Sequence, residues 1–256
     1  MEKDGGDRLL TAQIEDKIRT CSEQYVMTHT AFLDMRQATL AEKAASDAGA
    51  RRLLFGGFPD AERRVMIFLP DYMDEEAALD PENCPLSLLK VESPKGSRPL
   101  THRDYLGSLM NLGIKREVVG DIVVREGGAD IVILREMEDY LLSSWARAGR
   151  NSLSVRTAPL SEFDPGEIKT EELRDTVASL RLDAVISSVF RLSRGRAQEA
   201  VRQGLIYVNG MQCLKADAEV KAGDKLVLRG KGKAVLKETG GLSRKGRIGI
   251  TAERYL

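Results

Sequence analysis

Residues 177–228 carry the densest punctuation in the chain, and it leaves few folds open. Leu180, Leu182, Val185, Ile186, Val189 and Phe190 make one apolar helical face. Ser193 then stands where an N-cap belongs, and Arg194–Gln203 continues as a second helix with Ala197, Ala200 and Val201 turned inward. Gly204 ends it as a left-handed cap would. Leu205–Val208 reads as a short strand, Asn209–Gly210 as a tight-turn dipeptide, and Lys225–Leu228 as a second strand after the Ala222–Gly223–Asp224 turn. Two short helices packed on a small sheet follow.

The polar residues of these helices have their own geometry. Arg194, Gln198 and Arg202 recur every four residues and so share a broad helix face. Arg181 and Arg191 flank the first helix, and Arg196 adds charge near the start of the second. A guanidinium takes a phosphate bidentately, and Ser193 with the first-turn amides can hydrogen-bond one. The blander reading is a local Arg181–Asp183 salt bridge beside solvated cations.

Charge favours the first of these readings. The balance of 39 Lys and Arg against 39 Asp and Glu hides a split. Arg181–Leu256 holds 16 basic and 7 acidic residues, net +9, and the first 180 residues hold the other 23 and 32, net −9. Positive charge gathered in one terminal third suits a polyanionic partner, nucleic acid first. Cys21, Cys84 and Cys213 are too scattered for a disulfide framework or paired metal knuckles, so no metal is expected. No run approaches the ~18 apolar residues of a membrane span. The start, MEKDGGDRLL, has no apolar stretch behind a basic head, so no signal peptide is expected and the cytoplasm is the expected location.

The remainder reads as an N-terminal helical segment (1–50), a middle domain (51–160), a linker (161–175) and the basic domain with its tail (176–256). Within the first, two amphipathic helices are expected to split near Thr28–Thr30. Arg64–Leu69 and Pro85–Glu92 look like strands. Thr101 is a plausible N-cap for His102–Asn111, which Gly113 stops. Asp121–Arg125 and Ala129–Leu134 flank Gly127–Gly128 as a hairpin; Glu136–Ala148 is helical and Ser152–Thr157 alternates as a strand. From Pro85 the order strand, helix, strand, strand, helix, strand defines a ferredoxin-like unit. The fold class is therefore α+β: N-terminal helices, a ferredoxin-like (RRM-like) middle and the basic C-terminal domain. The hairpin strands contain no aromatic residue, so the sheet offers no base-stacking platform. Any RNA contact there falls to Lys115, Arg116 and Arg125. Ser161–Asp175 is acidic, contains Pro165–Gly166 and reads as a linker leading into a helix.

The run RLDAVISSVFRLSRGRAQEAVRQGLIYVNG, Arg181 to Gly210, closely resembles the S-four RNA-binding domain, and Val220–Asp224 matches that domain's Val-x-x-Gly-Asp turn. The resemblance implies RNA binding through the two-helix face. It puts Arg181, Asp183, Ser193, Arg194, Gln198 and Asn209 in the motif, with Arg194 and Gln198 as direct contacts. Asp183 and Asn209 would hold the local fold, and Gly195 and Gly204 would meet backbone requirements. The whole layout resembles the YlmH family of bacterial RNA-binding proteins, which includes the photosystem II S-four proteins. Tyr105–Ile122 and the tail Gly240–Leu256 carry that wider likeness. It implies a ribosome-associated factor without enzymatic activity or cofactor, linked to ribosome quality control and binding rRNA or tRNA on the large subunit. Its genes often neighbour those for cell division, and a monomer is expected.

The RNA-contacting set so assembled is Arg181, Arg191, Ser193, Arg194, Arg196, Gln198, Arg202, Asn209, Arg244, Lys245 and Arg247. The competing class is an RNA-modifying enzyme, such as a pseudouridine synthase-like protein docking through the S-four domain. Its acid–base candidates would be Asp121, His102 and Asp104. His102 and Asp104 lie two apart at a helix start, where helix capping explains Asp104 more simply.

Overall fold

The computed structural model describes residues 2–59, 61–166, 170–242 and 246–255, with the side chains of 2–4 and 242 left aside. It has two compact units, Met1–Gly166 and Glu167–Leu256.

In the first unit α1 (Glu2–Gln24) leads through β1 (Thr28–His29) to α2 (Met35–Asp47), and the hairpin β2 (Arg52–Phe55) and β3 (Val65–Phe68) follows. The sheet order β1-β3-β2 makes β3 the central strand. Alternate residues of β3 serve two cores: Met66 and Phe68 pack on Ile14, Ala38, Ala41 and Ala45 of the helices, while Val65 and Ile67 face the other way. A strand buried on both faces reads as an unbroken apolar run, and Arg64–Leu69 does.

After the short α3 (Glu75–Leu79) come β4 (Leu86–Glu92), α4 (His102–Asn111), β5 (Val119–Arg125), β6 (Gly128–Leu134) and α5 (Glu138–Ser144). The two-residue pair β7 (Arg147–Ala148) and β8 (Asn151–Ser152) precedes β9 (Ser154–Ala158). Antiparallel order β5-β6-β4-β9 is the ferredoxin-like arrangement expected from the element order. Thr101 caps α4 in a full capping box with Asp104. One sheet face packs Leu89, Val91, Ile131 and Ile133 on Tyr105, Leu109, Leu141 and Trp145. The opposite face packs Leu86, Leu88, Val132 and Leu134 on Phe32, Val65 and Ile67. β6 is consequently buried at every residue.

The boundary expected at residue 50 therefore divides differently in the structure. β2 and β3 join the N-terminal helices, and the ferredoxin-like unit begins at Leu86. The sheet face where an RRM would stack bases is covered by Phe32 and the Val65–Ile67 side of β3, with the helices packed on the far side of that strand.

The second unit is built on one antiparallel sheet, order β10-β15-β14-β13-β11-β12. Its strands are β10 (Thr170–Val177), β11 (Ile206–Val208), β12 (Met211–Gln212), β13 (Lys225–Leu228), β14 (Gly232–Leu242) and β15 (Ile248–Tyr255). Helices α6 (Leu182–Val189) and α7 (Arg194–Arg202) bury Leu182, Val185, Ile186, Val189, Ala197 and Val201 against Ile206, Leu226, Leu236, Ile250 and Ala252. The expected linker is corrected here. Its last residues form β10, paired along its whole length with β15 from Thr170↔Tyr255 to Val177↔Ile248. The described part of the basic tail is the β14–β15 hairpin.

Candidate nucleic-acid interface

One buried carboxylate links the two helices above their shared apolar core. Asp183, in the first turn of α6, is 0% exposed. Its backbone N–H and that of Leu182 donate to the carbonyls of Ala216 (3.0 Å) and Ala218 (2.7 Å), which fixes the helix start. Its carboxylate accepts from Arg181 Nε at 3.1 Å, Gln198 Nε2 at 2.8 Å and Arg194 Nε at 3.4 Å. Burial pushes this carboxyl up, but the hydrogen bonds from Arg181 and Gln198 and the charges of Arg181 and Arg194 outweigh that and hold it below its ordinary value. Both arginines keep exposed heads, with 41% and 56% of their side chains accessible. Two guanidiniums on one carboxylate leave net positive charge, with planar donors available to a phosphate.

Around this cluster Ser193 caps α7, its hydroxyl accepting from the N–H of Arg196 at 3.3 Å. The first turn of α7 carries no acidic residue, so the positive end of the helix dipole is not offset there. Arg196 is exposed. Arg202 pairs with Glu199 at 2.7 Å and stands outside the Asp183 cluster, despite the four-residue spacing. Arg191 pairs with Glu171 at 2.7 Å. Arg247 donates to the Thr176 hydroxyl at 3.0 Å and to the Thr176 carbonyl. Arg244 and Lys245 lie outside the described residues.

Asn209 has a different task. Its backbone is left-handed (φ 49°) and, with Gly210 at φ 76°, makes the two-residue turn between β11 and β12. Its amide donates to Asp224 at 2.8 Å and accepts from the Lys225 N–H at 2.9 Å. Asp224 in turn accepts from the Lys221 N–H. The Asn-Gly and Gly-Asp elements thus stitch two turns together, and the Asn209 side chain belongs to the fold.

The glycines divide as well. Gly204 sits at φ +68°, and a Cβ there would lie 2.4 Å from Gln212 Nε2, so a backbone requirement holds. Gly195 lies in helical backbone with open space where a Cβ would be, so no such requirement applies.

Of the three cations of the first unit named above, Arg116 and Arg125 are engaged internally. Arg116 donates to the carbonyls of Val119 and Gly120, and burial, with Arg63 beside it, lowers its guanidinium to about 10. Arg125 and Lys90 neutralise the buried Asp130 at 2.8 and 3.0 Å. Exposed Lys115 pairs loosely with Glu117 at 3.6 Å.

The acid–base candidates also serve the fold. Asp121 accepts the backbone N–H groups of Glu62 (2.6 Å) and Arg63 (3.1 Å), and burial raises it. Arg63 continues the brace to the carbonyls of Val119 and Phe32. Asp104 is the capping-box acid and His102 merely opens α4. Among the described residues no group of three or more His, Cys, Asp or Glu could hold a metal ion, and no helix is long and apolar enough to cross a membrane.

Sequence reasoning missed the sheet's cation–aromatic pairs, Lys233 over Tyr255 at 4.4 Å and Arg229 over Tyr207 at 5.1 Å. It also missed Thr176 and Glu171, which position Arg247 and Arg191. These partners stand 20 or 71 residues apart in the chain, beyond any local pattern.

Known proteins resemble this chain over most of its length. Residues 80–162 match the family model described as a putative RNA-binding domain in YlmH, and residues 180–226 match that of the S4 domain. The chain is 32% identical over 236 residues to the ribosome-associated protein quality control protein P2 of Bacillus subtilis (strain 168), covering 92% of this chain and 90% of that one. A solved structure, the cell division protein ylmH from Streptococcus pneumoniae, is similar with a TM-score of 0.51 at 26% identity, covering 61% of this chain and 93% of that one.

Proposed function

The chain belongs to the YlmH family of S4-domain RNA-binding proteins, and from that premise we propose that it is a cytoplasmic, ribosome-associated factor that binds rRNA or tRNA on the large subunit and performs no chemistry of its own. The observation that carries this reading is the Asp183 cluster. One buried carboxylate presents Arg181, Arg194 and Gln198 together on the exposed face of a terminal third that carries net +9.

Preorganisation is the point of this arrangement. A free arginine must lose rotamer freedom on meeting a phosphate, whereas Arg181 and Arg194 are already oriented from the Asp183 side. Their remaining N–H donors match two phosphate oxygens, and the Gln198 amide oxygen remains available as an acceptor for a ribose hydroxyl or a base edge. Arg196 and the dipole of α7 add long-range attraction. The relative from Bacillus subtilis, whose name places it in ribosome-associated quality control, supports the ribosomal setting. The structural employment of Asp121 and Asp104 supports a non-catalytic role. The protein acts as a monomer on this reading.

Equilibrium binding of the full chain to tRNA across a salt series tests it. With about five phosphates engaged, log affinity should fall with log salt at a slope of several units, by counterion release. A slope near zero contradicts electrostatic RNA binding by this unit.

A further inference from the structure

A cleft of about 430 Å³ opens between β10 and α6, bordering the Asp183 cluster through Arg194. Three arginines from three separate elements line it: Arg191 just after α6, Arg194 at the start of α7, and Arg247 just before β15. Its other polar lining includes Asp175, Thr176 and Ser188. The S4 model covers residues 180–226, so Asp175, Thr176 and Arg247 are additions from the flanking strand and hairpin.

These side chains are held in place. Thr176 fixes the Arg247 guanidinium through its hydroxyl and its carbonyl. Arg191 occupies left-handed backbone (φ 52°), a conformation that side chains other than glycine disfavour, and its guanidinium is steered by Glu171. Ser188 donates to Asp175 at 2.5 Å, so that carboxylate is already engaged with a neutral partner. Among the described residues, three arginines against Asp175 put the lining at net +2, and Glu171, just outside it, offsets part of Arg191. Among the described residues the apolar lining is small, Val177, Ala178 and Ala184, and no aromatic ring faces the space. Such a cleft suits a compact oxyanion and offers a nucleobase nothing to stack on.

We infer that this cleft seats a backbone phosphate of the bound RNA, giving the strand a second anchor beside the Asp183 cluster. The inference rests on the RNA-binding reading above and gives Arg191, Arg194 and Arg247 one shared ligand. A free phosphate has the same chemistry, so the test separates the two sources.

Binding of the full chain to fluorescein-labelled tRNA is measured over a salt series for the wild type, Arg247→Ala, Arg191→Gly and the surface control Arg150→Ala. Arg191→Gly removes the guanidinium while relieving the left-handed backbone, so its melting temperature should be retained. The expected result is about a threefold to tenfold loss of affinity for each cleft variant and a salt slope shallower by about 0.7 to 1, with Arg150→Ala unchanged. If the wild type binds and both cleft variants keep its affinity and slope, the inference falls while the RNA-binding reading stands. If the wild type itself fails to bind, both fall. A phosphorus NMR titration with inorganic phosphate alone completes the test. Saturable binding that Arg247→Ala abolishes, without any effect of that variant on tRNA, would assign the cleft to free phosphate and overturn the inference.

Discussion

Gln198 on α7 donates its side-chain amide to the buried carboxylate of Asp183 on α6 at 2.8 Å, across 15 residues of chain. Removing either partner separates a structural role from a binding role. Asp183→Ala strips a buried acceptor from three donors. It should cost about 2 kcal/mol of stability, with the half-exposed arginines limiting the loss through solvent screening. RNA affinity should fall with it, because Arg181 and Arg194 lose their common anchor. Gln198→Ala should cost under about 1 kcal/mol in a urea melt while still weakening RNA binding. Equal stability losses for the two variants would contradict the division.

Acid should loosen the second unit. Asp183 and Asp175 both lie below their unfolded values: Asp183 through Arg181 and Gln198 against burial, Asp175 chiefly through Ser188. A depressed carboxylate contributes stability that is present above its unfolded pKa, about 3.9, and is lost as pH falls through the lower folded value. Hydrogen exchange of α6 should be unchanged from pH 7 to about 5 and accelerate, after correction for intrinsic rates, below about 4. Asp183→Asn should flatten that dependence. Asp121 in the first unit has the opposite sign, since burial raises it and its neutral form is the better tolerated.

The two helix glycines should respond oppositely to alanine. Gly204→Ala puts a side chain into left-handed backbone and displaces the flexible Gln212 amide, and should destabilise by about 1–2 kcal/mol. Gly195→Ala meets nothing and should stabilise by about 0.5–1 kcal/mol through helix propensity. Urea denaturation of both variants checks this.

Phe32 covers the ferredoxin-like sheet, and its ring lies where a Cβ on Gly120 would come within 2.7 Å. Phe32→Ala should cost about 3–5 kcal/mol and expose apolar sheet to a hydrophobic dye. Trp145, the chain's single tryptophan, is buried on the opposite side of that sheet and reports the unit's melting by fluorescence.

What could be read in advance was local. The Ser193 cap, the Gly204 stop, the Asn209–Gly210 turn and the Thr101 capping box each declare themselves within five residues, and all stand as expected. The strand–helix order from Pro85 likewise sufficed for the sheet topology. What stayed hidden depended on distant partners. TEELRDTV looks like a charged linker until Val177 pairs with Ile248 and Thr170 with Tyr255. β3 looks like one more strand of the middle domain until its two faces are assigned to different cores. The four-residue arginine spacing on α7 could not show that Arg202 pairs with Glu199 one turn back and stands outside the Asp183 cluster, nor which side chain the Asn209 amide meets, which is Asp224, 15 residues on.

The central claim is that the α6–α7 face grips ribosomal RNA, and co-sedimentation with ribosomes tests it most directly. The full chain and an Arg194→Glu, Arg202→Glu double variant are run on sucrose gradients; both side chains are mostly exposed, so the fold should persist, with circular dichroism as the check. The expected result is that the wild type travels with the large subunit and the variant stays at the top. Co-migration of both with the large subunit, or of neither, would contradict the claim.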